Sequence, residues 1–394
     1  MNAATAVSTA TRVGMILDPL DVLFFRDGRP FQQGARGTTR FGALPQTVAG
    51  AVWTALLESH ACPFHELARL VRNEDISFAD ALERLGLPSW IAHVAVAGPW
   101  FARRSSNSPR GTAEFDLLFP VPGNVLRCSG RDEEQPVVVQ RPLPEAAALP
   151  GWDSTRAGRA GLRPLWHQAA GKTTRAIGFL TSQGMTDYLA GRDIAPQEII
   201  PAGQLYALDE RTGIGIDPDT NSAEEHAIYS ASFLSLAHGP SAPWETVIYV
   251  EVVLPDGAPE DAWPASISSL ALGGEGRRVA VARRDTPFDF RALEPTDDDG
   301  PACYVLTTPG LFAGRFPQVI ADQVVAAAVP PALPVSGWDM ARGGPKPSRF
   351  AAPAGSVYFT RQSITPRPAS LADDPFDRQQ GWGAYLKGVW TDER

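Results

Sequence analysis

Apolar positions along the chain follow two rhythms. From Arg12 to Phe25 they crowd into "RVGMILDPLDVLFF", broken by Pro19, which predicts a buried strand. After a run of glycines and arginines, Pro45 opens a segment in which Val48, Ala51, Val52, Ala55 and Leu56 recur at spacings of three and four. That spacing predicts a helix with one apolar face, started by a proline that needs no intrahelical donor. A second helical region is expected around His65 to Leu85, and strands in 92–102, 115–120 and 136–143. "GFLTSQGMTDYLAG" reads as a short helix closing at Gly191. Residues 203–236 have strand character at both ends and polar turn chemistry between them, the outline of a long hairpin.

The C-terminal part has a cleaner order. "TVIYVEVVLP" is a strand, "APEDAWPASISSLAL" a helix, "RRVAVARR" and "ACYVLTTPG" strands, "FPQVIADQVVAAA" a helix and "GSVYFTRQ" a strand. The order β-α-β-β-α-β is that of the ferredoxin-like split unit. The N-terminal part begins the same way and ends in strands, with insertions between. The expected fold class is therefore α+β, with two ferredoxin-like (RRM-like) domains: residues 1–242 with large insertions, and residues 243–394, divided near Gly239 to Pro243. That fold hosts many functions and decides none.

The totals agree with this picture. A chain of 394 residues is long enough for two or three domains, and 44% hydrophobic with 20% charged residues describes a globular protein. The 36 prolines and 36 glycines predict long, shaped connections. Cys62, Cys128 and Cys303 lie far apart with no CxxC or Cys/His cluster, so no disulfide framework or metal site is expected, and a reducing cytoplasm fits. The first residues lack the basic start and apolar stretch of an export signal, and no apolar run is long enough to span a membrane.

Net charge is −9, which argues against coating nucleic acid by bulk attraction. The distribution changes the picture. Arg26, Arg29, Arg36 and Arg40 share their window with one acid, Asp27; a second basic window runs from Arg156 to Arg175 and a third from Arg342 to Arg349. Arginine predominates over lysine, which suits planar recognition of phosphates and stacking on bases.

Candidate catalytic motifs fail on inspection. "AAGKTTR" at 169–175 ends like a phosphate-binding loop, but Trp166 stands where the first glycine is required. "LGGEGRR" at 272–278 has the glycine-glycine-acid hairpin of nucleotide cyclases without the second acid, which leaves a glycine-rich turn where backbone approaches something closely. Among the six histidines, no pair announces the general acid and base of a metal-independent ribonuclease. No cofactor is implied.

The stretch "GWDMARGGPKPSRFAAPAG", 337–355, is more informative. Gly337, Gly343 and Gly344, with Arg342, Lys346 and Arg349 around them, make a basic loop whose backbone N–H groups can approach phosphates. Trp338 could stack on a base.

Seven blocks carry a resemblance: "PLDVLFFRDGRPF", "LPQTVAGAVWTALLE", "ERTGIGIDPDTNSAEEHAIYSASFLSL", "LGGEGRRV", "VSGWDM" with "GGPKP", "PAGSVYF" and "QGWGAYLKGVW". In this order, across nearly the whole chain, they resemble the third subunit of the Cmr complex, a RAMP superfamily protein of type III-B CRISPR effectors in antiviral defence. The matching subunit of the Csm complex shares the fold, but the "FRDGRPF" and "GWD" blocks point to Cmr.

The resemblance implies a non-catalytic RNA-binding scaffold. Its two ferredoxin-like domains would grip the repeat-derived 5′ handle of the CRISPR RNA, beside the large polymerase-like Cmr subunit and the backbone RAMP subunits. A β-hairpin thumb would reach between guide and target RNA. Residues 210–229 are the candidate thumb, with the insertions between Ala102 and Lys172 as the alternative. The implied RNA-binding residues are Arg26, Arg29, Arg36, Arg40, Arg211, Arg277, Arg278, Gly337, Trp338, Arg342, Gly343, Gly344, Lys346 and Arg349. A RAMP-type endoribonuclease processing CRISPR transcripts is the alternative activity. It would place a histidine near the basic loop, whereas the first here is His60, beyond the helix.

Overall fold

The structure is a computed structural model. It describes residues 11–25, 36–37, 42–73, 76–105, 115–128, 136–144, 147, 149, 151–152, 161–169, 171–217, 219–236, 244–284, 286–296, 299–339 and 342–391, with the side chains of 36, 37 and 223–229 left aside.

The fold is α+β and its sheets are almost wholly antiparallel. In chain order come β1 (Arg12–Pro19), β2 (Arg36–Gly37), α1 (Pro45–Ser59), α2 (Phe64–Asn73), α3 (Phe78–Arg84), β3 (Ala95–Ser105) and β4 (Phe115–Pro120). Then follow β5 (Phe179–Leu180), α4 (Ser182–Leu189), β6 (Ile199–Ile200), β7 (Tyr206–Ile216), β8 (Ala223–Leu236), β9 (Trp244–Val253), β10 (Ser269–Ala271) and β11 (Arg278–Arg283). The last stretch holds β12 (Ala302–Leu306), β13 (Val324–Ala328), β14 (Val357–Thr360), α5 (Pro375–Gln379) and β15 (Tyr385–Val389). Shorter strand pairs decorate the connections.

The main sheet runs β6-β5-β4-β3-β9-β1-β11-β10. Four adjacent strands, taken in chain order as β1, β3, β9 and β11, lie in space as 4-1-3-2. A second sheet, β13-β14-β12-β15, repeats that 4-1-3-2 order with four strands from the end of the chain. The division expected at 242/243 is therefore not a break in hydrogen bonding. β1 lies between β9 and β11, both from beyond residue 243, and pairs with each. Ser105 and Trp244 face each other across the β3–β9 ladder, so the long stretch between them, which adds β4, β5 and β6 to the same sheet, starts and ends at one register position. A connection that only has to reverse direction there tolerates a long insertion at modest entropic cost.

Two expected helices are absent. Residues 255–268 form turns, with Ala258 donating to Pro255, Ala262 to Pro259 and Ile267 to Pro264. Pro264, in the interior of the expected helix, removes a donor the helix would need and crowds its preceding turn. Tertiary packing completes the override, because Ala262, Trp263 and Ile267 are buried against the face that α1 also covers. In the second, Pro317 to Gln323 gives turns and a 3-10 turn, and "VVAAA" continues as β13, where β-branched side chains suit a pleated surface. α1 stands as expected, with Pro45 in its first turn and Val48, Val52, Ala55 and Leu56 buried.

Strand periodicity explains the layering. Val13, Met15 and Leu17 of β1 face the core under α1, with Ile248, Val250 and Val252 of β9. Ile16, Val247 and Tyr249, between them, face a second core shared with Cys303, Val305, Val357 and Phe359 of the C-terminal sheet and Met185, Tyr188 and Leu189 of α4. Tyr304, Tyr358 and Leu306 point to a third layer. Both sheets are thus covered on both faces, and each fully buried Leu or Val contributes about 1.5–3 kcal/mol relative to exposure.

Candidate nucleic-acid interface

Beyond β1 the chain does not remain in the main sheet. In "VLFF", Leu23 and Phe25 turn into the core under α1, whereas Val22 and Phe24 pack on Ala231 and Phe233 of β8. Leu23 and Leu234 exchange backbone hydrogen bonds of 2.8 and 2.7 Å. The alternation of four apolar residues thus fastens one strand end to two bodies at once.

The body on the far side is the long hairpin expected from 203–236. β7 and β8 pair from Tyr206↔Leu236 to Ile214↔Ile228, with a register shift before Ile216↔Ala223. Its turn is local chemistry: the Asp217 carboxylate accepts from the N–H groups of Asp219 (2.8 Å) and Thr220 (3.3 Å), and Asn221 adopts φ 52°. Those N–H groups hold the Asp217 carboxyl below its usual range. Along β7, Leu208, Ile214 and Ile216 are exposed. The candidate thumb residues, 210–229, lie within this hairpin.

Three of the segments singled out in the sequence meet at its root. β2 runs parallel to β8, with Arg36 opposite Ser230 and Gly37 opposite Ala231. The turn "GGEGRR" closes on Phe24: the Gly274 N–H donates to its carbonyl at 2.8 Å, and a Cβ on Gly273 would sit 2.4 Å from that oxygen. Gly273 has φ +85°, so both conformation and space demand glycine. Arg211 and Arg277 then lie over the ring of Phe233, at 4.9 and 5.0 Å. Arg211 also donates to Asp209 (2.7 Å) and Arg277 to Asp21 (2.7 Å). Arg278 is apart from this stack, donating to Ser269 at the sheet edge. Arg26, Arg29 and Arg40 lie outside the described residues, and of Arg36 only the backbone is described, in β2 beside this root.

The glycine-rich loop forms a second patch, against α1 and α2. Trp338 and Asp339 pair with Pro345 and Gly344, and the Asp339 carbonyl accepts from Gly343 N–H at 2.7 Å while its carboxylate accepts from Arg342 N–H at 2.9 Å. Gly343 has φ +65°, and a Cβ there would meet the Arg72 guanidinium at 2.7 Å. Gln46 in the first turn of α1 donates to the Ser336 carbonyl at 2.8 Å, next to Gly337, whose own carbonyl accepts from Lys346 N–H. Trp338 is 60% exposed and Phe350 72%. Arg342 is exposed and Lys346 half-buried. Arg349 is held differently, with two hydrogen bonds of 2.8 and 2.5 Å to the buried Asp377 of α5.

The two patches flank the start of α1. Gly42 approaches the Phe101 ring, which stacks on Tyr206 at the base of β7 at 5.5 Å, and Leu44 packs with the core beneath the glycine-rich loop. Phe233, Asp21, Asp209, Gln46 and Arg72 were not evident in the sequence as site residues. Only the alternation in "SASFLSL" hinted at Phe233.

The rejected motifs have ordinary places. Thr173–Arg175 is a short strand paired with Leu126 to Cys128. His60 closes α1, its Nδ1 2.9 Å from the Leu56 carbonyl and its ring edge-on to Trp90, while His65 is exposed on α2. All three cysteines are free and buried. Among the described residues no group of His, Cys, Asp and Glu could hold a metal ion, and no helix is long and apolar enough to cross a membrane.

Among solved structures, the chain is similar to one in "Cryo-EM structure of the Type III-B Cmr-beta bound to cognate target RNA and AMPPnP, state 1", at 18% identity, TM-score 0.46, covering 89% of this chain and 86% of that one. It is similar too to one in the same complex bound to cognate target RNA alone, at 18% identity, TM-score 0.45 and the same coverage. No curated protein matches. The family model described as CRISPR-associated protein (Cas_Cmr3) matches residues 15–390, both patches and both sheets included. The chain belongs to that family of CRISPR-associated proteins.

Proposed function

We propose that this protein is a non-catalytic, cytoplasmic RNA-binding scaffold subunit of a type III-B CRISPR effector. In this reading it grips the repeat-derived 5′ handle of the CRISPR RNA, joins the large polymerase-like subunit to the backbone subunits, and meets target RNA through the hairpin acting as a thumb. The observation that carries the reading is the meeting of three sequence-distant elements at the hairpin root: Val22 to Phe25 with β2, the β7–β8 hairpin, and the Gly273–Gly274 turn. Local basic surfaces in a protein of net charge −9 suit one defined polyanion better than nucleic acid in bulk. The repeated 4-1-3-2 strand order supports two ferredoxin-like units, with β12 opening the second.

The test uses the purified full chain with labelled repeat–spacer RNA. Binding without cleavage is expected. Metal-independent cutting that a His60 or His65 substitution abolishes would replace the scaffold with the endoribonuclease. Arg26→Ala with Arg29→Ala is expected to weaken binding and to lower the slope of log affinity against log salt by about two units, one for each lost phosphate contact. Unchanged affinity and slope would make these arginines structural.

A further inference from the structure

Phe233 carries two guanidiniums on one ring, and each is already neutralised by its own carboxylate. Arg211 donates through Nε and Nη2 to Asp209 Oδ2 at 2.9 and 2.7 Å, and Arg277 through Nη1 to Asp21 Oδ2 at 2.7 Å. The ring is 7% exposed and braced from the side by Phe24 at 5.1 Å, so the stack is fixed in place. The acids are not: the side chains of Asp21 and Asp209 are 60% and 42% exposed. Exposed carboxylate–guanidinium pairs are weak in water, while an arginine can hold a phosphate by charge-assisted bonds of fixed geometry. Two like charges over one ring repel unless anions accompany them.

Resting on the RNA-binding reading above, we propose that Asp21 and Asp209 are specificity-determining residues, built-in counter-ions that phosphates of a correctly seated RNA strand displace from Arg277 and Arg211. A strand held by other parts of the site presents its phosphates at high local concentration and completes the exchange. A strand that touches the hairpin root alone meets a neutralised surface. The device would let a fixed pair of arginines serve a tight site without drawing in any RNA of the cell, since affinity for arbitrary polyanion scales with the number of unneutralised cations.

The experiment compares the full-length protein with Asp21→Asn/Asp209→Asn by fluorescence anisotropy across a salt series. The probes are a single-stranded RNA starting with the repeat-derived handle and an unrelated RNA of equal length. The double variant is expected to bind the unrelated RNA on the order of tenfold more tightly, with a salt slope steeper by about two units and reduced discrimination between the probes. Asp209→Asn alone, which leaves the Arg277 pair intact, is expected to give the smaller part of that change. Unchanged affinity and slope for the unrelated RNA, or weakening on both probes, would overturn the proposal. Wild-type binding of the handle RNA alongside either result would leave the RNA-binding reading standing. Wild-type protein that binds neither RNA would remove both.

Discussion

Arg349 leaves the glycine-rich loop and meets the buried carboxylate of Asp377 with both Nη atoms, although the sequence placed it beside Arg342 as a contact for phosphate. That pairing is the first cause of its raised pKa, and it fastens the loop to α5. Removing the guanidinium would leave a buried carboxylate short of two donors. Arg349→Ala is expected to cost about 2 kcal/mol, read as a lower midpoint in chemical denaturation. Lysine offers one point charge where a planar fork is needed, so Arg349→Lys should recover only part of that loss. Arg342, whose backbone alone is engaged by Asp339, stays the better candidate for RNA. Arginine windows are legible in a sequence; their partners are not, because Asp377 lies beyond a long connection.

Turns and tight approaches govern the elements. The Gly273 turn packs on the Phe24 carbonyl, so Gly273→Ala must move backbone and hold alanine at positive φ. A loss of about 1–3 kcal/mol is expected, as a shifted urea midpoint with an unchanged slope. The hairpin tip carries a pH dependence of defined sign. Because the Asp217 carboxyl is held below its unfolded value, its stabilisation of the turn is fully present above the ordinary aspartate range. It is lost as pH falls through the lowered value. Amide exchange of Asp219 and Thr220 is expected to quicken over that acidic window, and Asp217→Asn to remove the pH dependence. Hairpin, α1 and α4 were legible because periodicity, caps and turn residues agree locally. The helices expected at 258–272 and 316–328 were not formed, because prolines and sheet packing outweighed an apolar pattern that suited either state.

For the whole molecule, the position of β1 between β9 and β11 has a direct consequence. A polypeptide ending at residue 242 would deprive β1 of both neighbours and leave Met15 and Leu17 without the face they pack on. It is expected to be unfolded or aggregated, as read by circular dichroism and amide chemical-shift dispersion. Mixing with the fragment 243–394 should restore strand signal. A stable, soluble 1–242 fragment would contradict the pairing. The shared core between the two sheets makes the same point from the packing side, since Val247 and Tyr249 are buried with Val305 and Phe359.

By itself the sequence determined the local terms: where strands alternate, where Pro45 starts a helix, where the hairpin turns, and which ordered blocks mark the family. Those depend on neighbours within a few residues, which spacing and composition report directly. The tertiary structure decided the rest: that β1 pairs with strands more than two hundred residues away, that Phe233 gathers Arg211 and Arg277, and that Arg349 serves Asp377. Such contacts are chosen by long-range register and burial, in which an arginine is bound by whichever anion the fold delivers to it.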